Sequence, residues 1–162
     1  MKKLYLVRHA KSDWEYKQLR DNERPLNERG LREAPEMAQF LLKNKKLKPD
    51  LIISSPANRA YHTALIFANV LGYQLDKIIL SNKIYEGGTN GIIQLIQTVD
   101  NNVSELILFG HNPDFTTLVE HFSGKPIGEM VTCSVAGLSF NITNWADIHN
   151  NKGKLLWYER LK

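Results

Sequence analysis

Short runs of strand-like apolar residues take turns with longer segments whose apolar residues recur at helical spacing, and this alternation restricts the fold more than any other feature of the chain. Leu4 to Val7 reads as a short buried strand, Leu51 to Ile53 as a second, Ile78 to Leu80 as a weaker third and Glu105 to Phe109 as a fourth. Between them, Leu31, Ala34, Ala38, Leu41 and Leu42 recur at helical spacing behind Asn27, a good N-cap. Ala60, Ala64, Phe67, Ala68 and Leu71 share a second helical face that Gly72 should stop, and Ile92, Leu95, Ile96 and Val99 mark a third helix. Asn112 and Pro113 predict a fourth, with asparagine as the cap and proline at the first helical position. Pro35 is expected to distort the first turns of its helix or delay its start, because proline cannot donate a hydrogen bond to the preceding turn. Leu138, Phe140 and Ile142 alternate as a strand with one exposed face, and Leu155 to Leu161 reads as a last strand. The pattern implies an α/β fold, a three-layer α/β/α sandwich around a mostly parallel sheet.

A chain of 162 residues and 18.6 kDa suits one domain over residues 1–162, since two would each have a thin core. The apolar run in MKKLYLVRHA stops at Val7, too early for a secretory signal, and no other run approaches the ~18 residues a membrane helix needs, so a cytoplasmic protein that does not engage membranes is expected. Cys133 is the single cysteine, which excludes an internal disulfide and a thiolate zinc cluster. The net charge is +4, but Lys43, Lys45, Lys46 and Lys48 form the one local basic cluster and read as the solvated end of a helix. A nucleic-acid partner is therefore not expected, whereas an anionic substrate suits the mild basicity.

In a sheet of this kind ligands bind beyond the carboxyl ends of the strands, and three polar clusters fall there. Arg8 and His9 follow the first strand, Ser54, Ser55 and Arg59 the second, and Gly110, His111 and Asn112 the fourth. Two arginines with permanently charged, planar forks can hold an oxyanion between them. A neutral histidine beside them can attack phosphorus to give a covalent intermediate, and a second histidine, if protonated, can donate to another phosphate oxygen.

Four motifs carry this constellation: RHAKS from Arg8 to Ser12, with Trp14 just after it; PLNERGLREA from Pro25 to Ala34; SSPANRAYHTA from Ser54 to Ala64; and GHNP from Gly110 to Pro113. Their order and spacing resemble the histidine phosphatase superfamily, with its phosphoglycerate mutase-like fold, and most of all its short SixA-type phosphohistidine phosphatases. The match covers about the first three quarters of the chain. The resemblance implies a metal-independent, cofactor-free phosphatase in which His9 is the nucleophile, Arg8 and Arg59 hold the phosphoryl group and His111 is the second histidine. It also implies that Ser12 lines the phosphate pocket and that Arg24 touches the substrate. Ala10 stands where the family usually has glycine and Glu15 where many mutase-like members have asparagine, and both departures point away from a mutase.

Glu86, in KIYEGGTNG, reads two ways. In many phosphomonoesterase members a carboxylic acid near this place protonates the departing alcohol oxygen, and Glu86 could do so here or simply cap a turn. Only about 24 residues separate Glu86 from Gly110, and a helix and a strand use most of them, so no lid is expected there. An open pocket suits a phosphorylated protein, in particular a phosphohistidine phosphotransfer protein, or a small phosphate ester. Two other readings compete with the enzyme. His9, His111 and Asp13 or Asp114 could bind a metal for hydrolysis, although two nearby arginines would repel a cation. A module that binds phosphorylated ligands without turning them over is the other.

Overall fold

Six strands make one sheet: β1 (Lys2–Arg8), β2 (Leu51–Ser54), β3 (Ile79–Leu80), β4 (Glu105–Gly110), β5 (Val135–Phe140) and β6 (Gly153–Glu159). Their order is β3-β2-β4-β1-β5-β6 in the computed structural model, which describes residues 1–149 and 152–162. The first four strands of that order run parallel, while β5 is antiparallel to both of its neighbours. Five helices surround the sheet: α1 (Glu28–Lys45), α2 (Asn58–Leu71), α3 (Asn82–Glu86), α4 (Gly88–Gln97) and α5 (Asp114–Ser123).

Side-chain alternation along the strands builds a core on each face. Tyr5 and Val7 of β1 and Ile107 and Phe109 of β4 pack with Ala34, Met37, Leu41, Ala64 and Phe67 from α1 and α2. Leu4, Leu6, Leu106 and Leu108 point the other way, against Ile92, Ile96, Phe115, Leu118 and Phe122 from α4 and α5. Both faces being covered is what allows strands that are apolar throughout. In the register of the central strands Arg8 sits opposite Gly110 and Ser54 opposite Phe109, so the ends of β1, β2 and β4 lie level at one edge of the sheet.

Several expectations change. Pro35 lies inside α1, which begins at Glu28 and continues without interruption to Lys45. The carbonyl that proline leaves unbonded belongs to Leu31, which is 45% exposed, so water can serve it. Leu31 and Leu42 are exposed, and the buried stripe of α1 runs through Gly30, Ala34, Met37, Ala38 and Leu41 instead. α5 starts at Asp114 with Pro113 at the N-cap, one residue later than expected, and the Asn112 side chain accepts from the Thr116 hydroxyl at 3.0 Å. β5 spans Val135–Phe140 and is buried on both faces, because Ala136, Leu138 and Phe140 pack into the core with α4 and α5 while Val135 packs with α1 and α2 and the Trp157 ring covers Gly137; Ile142 falls beyond its end. β6 starts and ends two residues earlier than the apolar pattern suggests. The short α3 carries no expectation from periodicity, being little more than one turn.

The turn after β1 is seated on α1 at Gly30. A Cβ there would lie 3.1 Å from the Lys11 nitrogen and closer still to the Lys11 carbonyl oxygen, with only backbone to give way. Gly30→Ala should therefore destabilise the protein by roughly 2–3 kcal/mol in urea unfolding, although alanine is ordinarily the better helix former.

Candidate active site

The backbone leaving β1 is held from three sides. The His9 amide donates to the Gly110 carbonyl of β4 at 3.0 Å, and the Ala10 amide to the Thr63 hydroxyl of α2 at 3.0 Å, whose own proton goes to the Arg59 carbonyl at 2.7 Å. The next residues pair with the approach to α1: Ser12 bridges Leu26, Asp13 donates to Pro25 and Asn27 donates to Lys11. Ala10, in the family's glycine position, is fully buried and packs with the α1–α2 core. Arg8 and His9 thus leave the strand on a fixed backbone.

Hydrogen bonding sets the tautomer of His9 and pairs one nitrogen of His111. Nδ1 of His9 lies 2.7 Å from the Ala10 carbonyl, which can only accept, so Nδ1 carries the proton and Nε2 keeps its lone pair. Nε2 of His111 lies 2.8 Å from the Ser55 hydroxyl, and the Ser55 oxygen already accepts from the Ala57 amide. The serine proton can go to Nε2, and in that tautomer Nδ1 of His111 is a donor while the ring is neutral. The two rings are 5.2 Å apart. Burial pushes His9 from 6.5 down to about 3; the Ala10 carbonyl opposes this, while His111, Arg59 and Arg8 add to it. Burial, with Arg59 next, takes His111 down to about 4. Both rings are neutral at pH 7.

Three guanidinium groups surround them. Arg8 donates to the Met130 carbonyl at 2.7 Å, and burial lowers its pKa. Arg24 donates to the Ser12 hydroxyl at 2.8 Å and to the Asp21 carboxylate at 3.1 Å, with the Trp14 ring centroid 3.5 Å from its guanidinium carbon. Arg59, at the start of α2, donates to the Asp21 carbonyl at 2.7 Å and to its carboxylate at 3.0 Å. Among the described residues, the buried side-chain nitrogens and oxygens without a partner are Nε of Arg8, Nε of Arg24, Nε of Arg59 and Nδ1 of His111. All four side chains line one cleft of about 200 Å³ together with His9, Ser12, Trp14 and Lys11. Four unpaired buried donors around a neutral imidazole can receive a tetrahedral oxyanion and bring it against a nucleophile.

The structure brings together six of the seven residues that the motifs single out: Arg8, His9, Ser12, Arg24, Arg59 and His111. Glu86 is apart from them. It is exposed at the end of α3, and its carboxylate accepts from the Asn82 side chain at 2.8 Å. Asp13 and Asp114, the carboxylates of the metal reading, are not among the cleft residues, and the Asp13 carboxylate accepts from the Glu15 amide at 2.8 Å. Sequence reasoning missed Asp21, whose carboxylate joins Arg24, Arg59 and the Tyr85 hydroxyl, and the tautomer-setting part of Ser55. Asp21 sits three residues before Arg24, a spacing that could have flagged it.

Residues 4–86 match the model of the histidine phosphatase superfamily (branch 1). An uncharacterized chloroplastic protein of Arabidopsis thaliana is 31% identical over 166 residues, covering 96% of this chain and 74% of that protein. A Hydrogenobacter thermophilus protein provisionally named phosphoserine phosphatase 2 is 43% identical over 77 residues, covering 46% of this chain and 36% of its own. Among solved structures, one from Agrobacterium tumefaciens, provisionally identified as the phosphohistidine phosphatase SixA, superposes with a TM-score of 0.83 at 26% identity, covering 99% of this chain and 98% of that one.

The histidine pKa values fix a pH dependence. Unfolded histidine titrates near 6.5, so between pH 6.5 and about 4 the unfolded chain binds more protons than the folded one, and stability falls as pH falls. Urea unfolding in phosphate-free buffer should show stability lower at pH 5 than at pH 7.5 by about 1–2 kcal/mol for each histidine. The double variant His9→Gln, His111→Gln should lose most of that difference; a wild-type stability that does not change over this range would contradict the buried neutral pair.

Proposed function

We propose that this chain, which belongs to the histidine phosphatase superfamily and is a phosphatase, removes phosphoryl groups from phosphorylated histidine side chains of another protein through a covalent intermediate on Nε2 of His9. The observation that carries this reading is the set of unpaired donors on Arg8, Arg24, Arg59 and His111 that share one cleft with His9. In the first step Nε2 of His9 attacks phosphorus while the bond to the departing group breaks, and the guanidinium groups balance the charge on the three equatorial oxygens. His111 donates from Nδ1 and needs no added proton to do so, and the oxyanion it holds favours its protonation when one is available. Water then attacks the phosphohistidine, releasing phosphate and restoring His9. No step calls for a metal, and three guanidinium groups beside the imidazoles oppose a bound cation.

The choice of leaving group rests on Glu86. A phosphorylated imidazole departs as a neutral ring once its other nitrogen is protonated, whereas an alkoxide needs an acid at the oxygen. Glu86 lies outside the cleft lining with its carboxylate bonded to Asn82, which supports a substrate that can do without that acid. The likeness to the Agrobacterium structure points the same way. Small phosphate esters are the second reading, favoured by the Hydrogenobacter relative.

Intact-protein mass spectrometry after brief reaction with a phosphohistidine donor, in excess chelator and with alkaline quenching, tests the mechanism. A phosphoryl adduct that maps to His9 and is absent from His9→Ala is expected; consumption of the donor by both proteins without an adduct would overturn the nucleophile. Glu86→Gln should leave turnover of phosphohistidine within about threefold of wild type. If wild type turns over a phosphate monoester faster than phosphohistidine and Glu86→Gln lowers that rate by about a hundredfold, the ester reading wins.

A further inference from the structure

Arg24 and Arg59 both line the cleft, and in each the buried Nε has no partner. What occupies the other edge of both forks is Asp21. Oδ1 accepts from Arg24 at 3.1 Å, Oδ2 accepts from Arg59 at 3.0 Å, and the Asp21 carbonyl accepts from the second terminal nitrogen of Arg59 at 2.7 Å. Both terminal nitrogens of Arg59 thus bond to this one residue, while Arg24 has Ser12 besides. The arginine side chains are 8% and 7% exposed and that of Asp21 is 51% exposed, so the carboxylate closes the outer side of two buried cations.

Asp21 is itself held. It opens the 3-10 turn Asp21–Glu23, its Oδ2 accepts from the Tyr85 hydroxyl of α3 at 2.6 Å, and the Asn58 side chain donates to the Glu23 carbonyl at 3.3 Å. Three segments far apart in sequence therefore meet on one carboxylate. Burial alone would raise its pKa, but the bonds from Tyr85 and Arg59, the Arg59 charge and the bond from Arg24 outweigh burial and bring it to about 2. It stays ionised throughout the neutral range.

We infer that Asp21 is the positioning residue of the oxyanion clamp: by bonding terminal nitrogens of both Arg24 and Arg59 it fixes how the two guanidinium groups stand at the cleft. This rests on the oxyanion reading of the cleft and adds to it a residue that touches no reacting atom. The inference has a sign that simple electrostatics does not share. Removing a carboxylate near an anion site should, by Coulomb's law alone, tighten anion binding. Removing the group that aims two arginines should weaken it, because each fork can then swing toward water or pair with the other edge.

Titration of the full chain with inorganic phosphate at constant ionic strength, by calorimetry, distinguishes the two. Asp21→Ala is expected to weaken phosphate binding about tenfold, and Asp21→Asn, which keeps the shape but can accept from only one of the two arginines, by about three- to tenfold. Tyr85→Phe, which only frees the carboxylate to move, should have a smaller effect in the same direction. KM for the phosphorylated substrate should rise in parallel with the phosphate Kd, with unchanged circular dichroism. Should Asp21→Ala fail to fold, the asparagine and phenylalanine variants carry the same test. Variants that bind phosphate as tightly as wild type, or more tightly, overturn the inference while leaving the oxyanion cleft intact. Wild type that binds no phosphate overturns the cleft reading and the inference with it.

Discussion

Everything at the catalytic edge depends on the parallel pairing of β4 with both β1 and β2. Each of the three strands ends in a residue or turn with phosphate chemistry, and a register that puts Arg8 opposite Gly110 and Ser54 opposite Phe109 brings those ends level. Had any strand shifted by one residue, its apolar side chains would have exchanged faces and the opposing cores would have lost their fit. The core contacts of Leu6, Val7, Leu108 and Phe109 therefore also align the functional groups. Packing fixes the register, and the register places the histidines.

The second constraint is charge. Three guanidinium groups line one cleft, which is unfavourable without counter-charge or hydrogen bonds. Carbonyls of Met130 and Asp21, the Ser12 hydroxyl and the Asp21 carboxylate accept from one terminal nitrogen of Arg8 and from both of Arg24 and of Arg59, while Nε of each is unpaired. The same positive field, added to burial, keeps His9 neutral, the state in which an imidazole can attack phosphorus. The positive field that suits an oxyanion thereby also keeps the lone pair on Nε2 of His9 free.

Much of this was legible in the sequence. Buried strands on β1, β2 and β4 read as short apolar runs with polar clusters after them, and within those clusters the RHAKS, SSPANRAYHTA and GHNP motifs single out Arg8, His9, Arg59 and His111. Features that depend on contacts across the chain could not. Asp21 opens a short 3-10 turn where its spacing from Arg24 is the one local mark, and its bonds to Arg59 and Tyr85 come from far away in sequence. β5 is buried on both faces by packing on each side of the sheet, where the alternating pattern read alone gives a strand with one exposed face. Pro35 is tolerated in α1 because the carbonyl it leaves free belongs to a solvent-exposed residue, and exposure is a tertiary property.

The central position of β4 also sets the order in which the molecule can be assembled. A nascent chain that has reached residue 100 contains β1 and β2, His9 and the arginines that surround it, but β1 and β2 are not neighbours in the sheet. The strand that pairs with each of them is still to be made, and it must enter between two segments already synthesised. Contacts of such long sequence separation form late and slowly. During synthesis, therefore, a chain that already carries His9, Arg24 and Arg59 has not yet assembled the cleft they line, which needs the insertion of this six-residue strand.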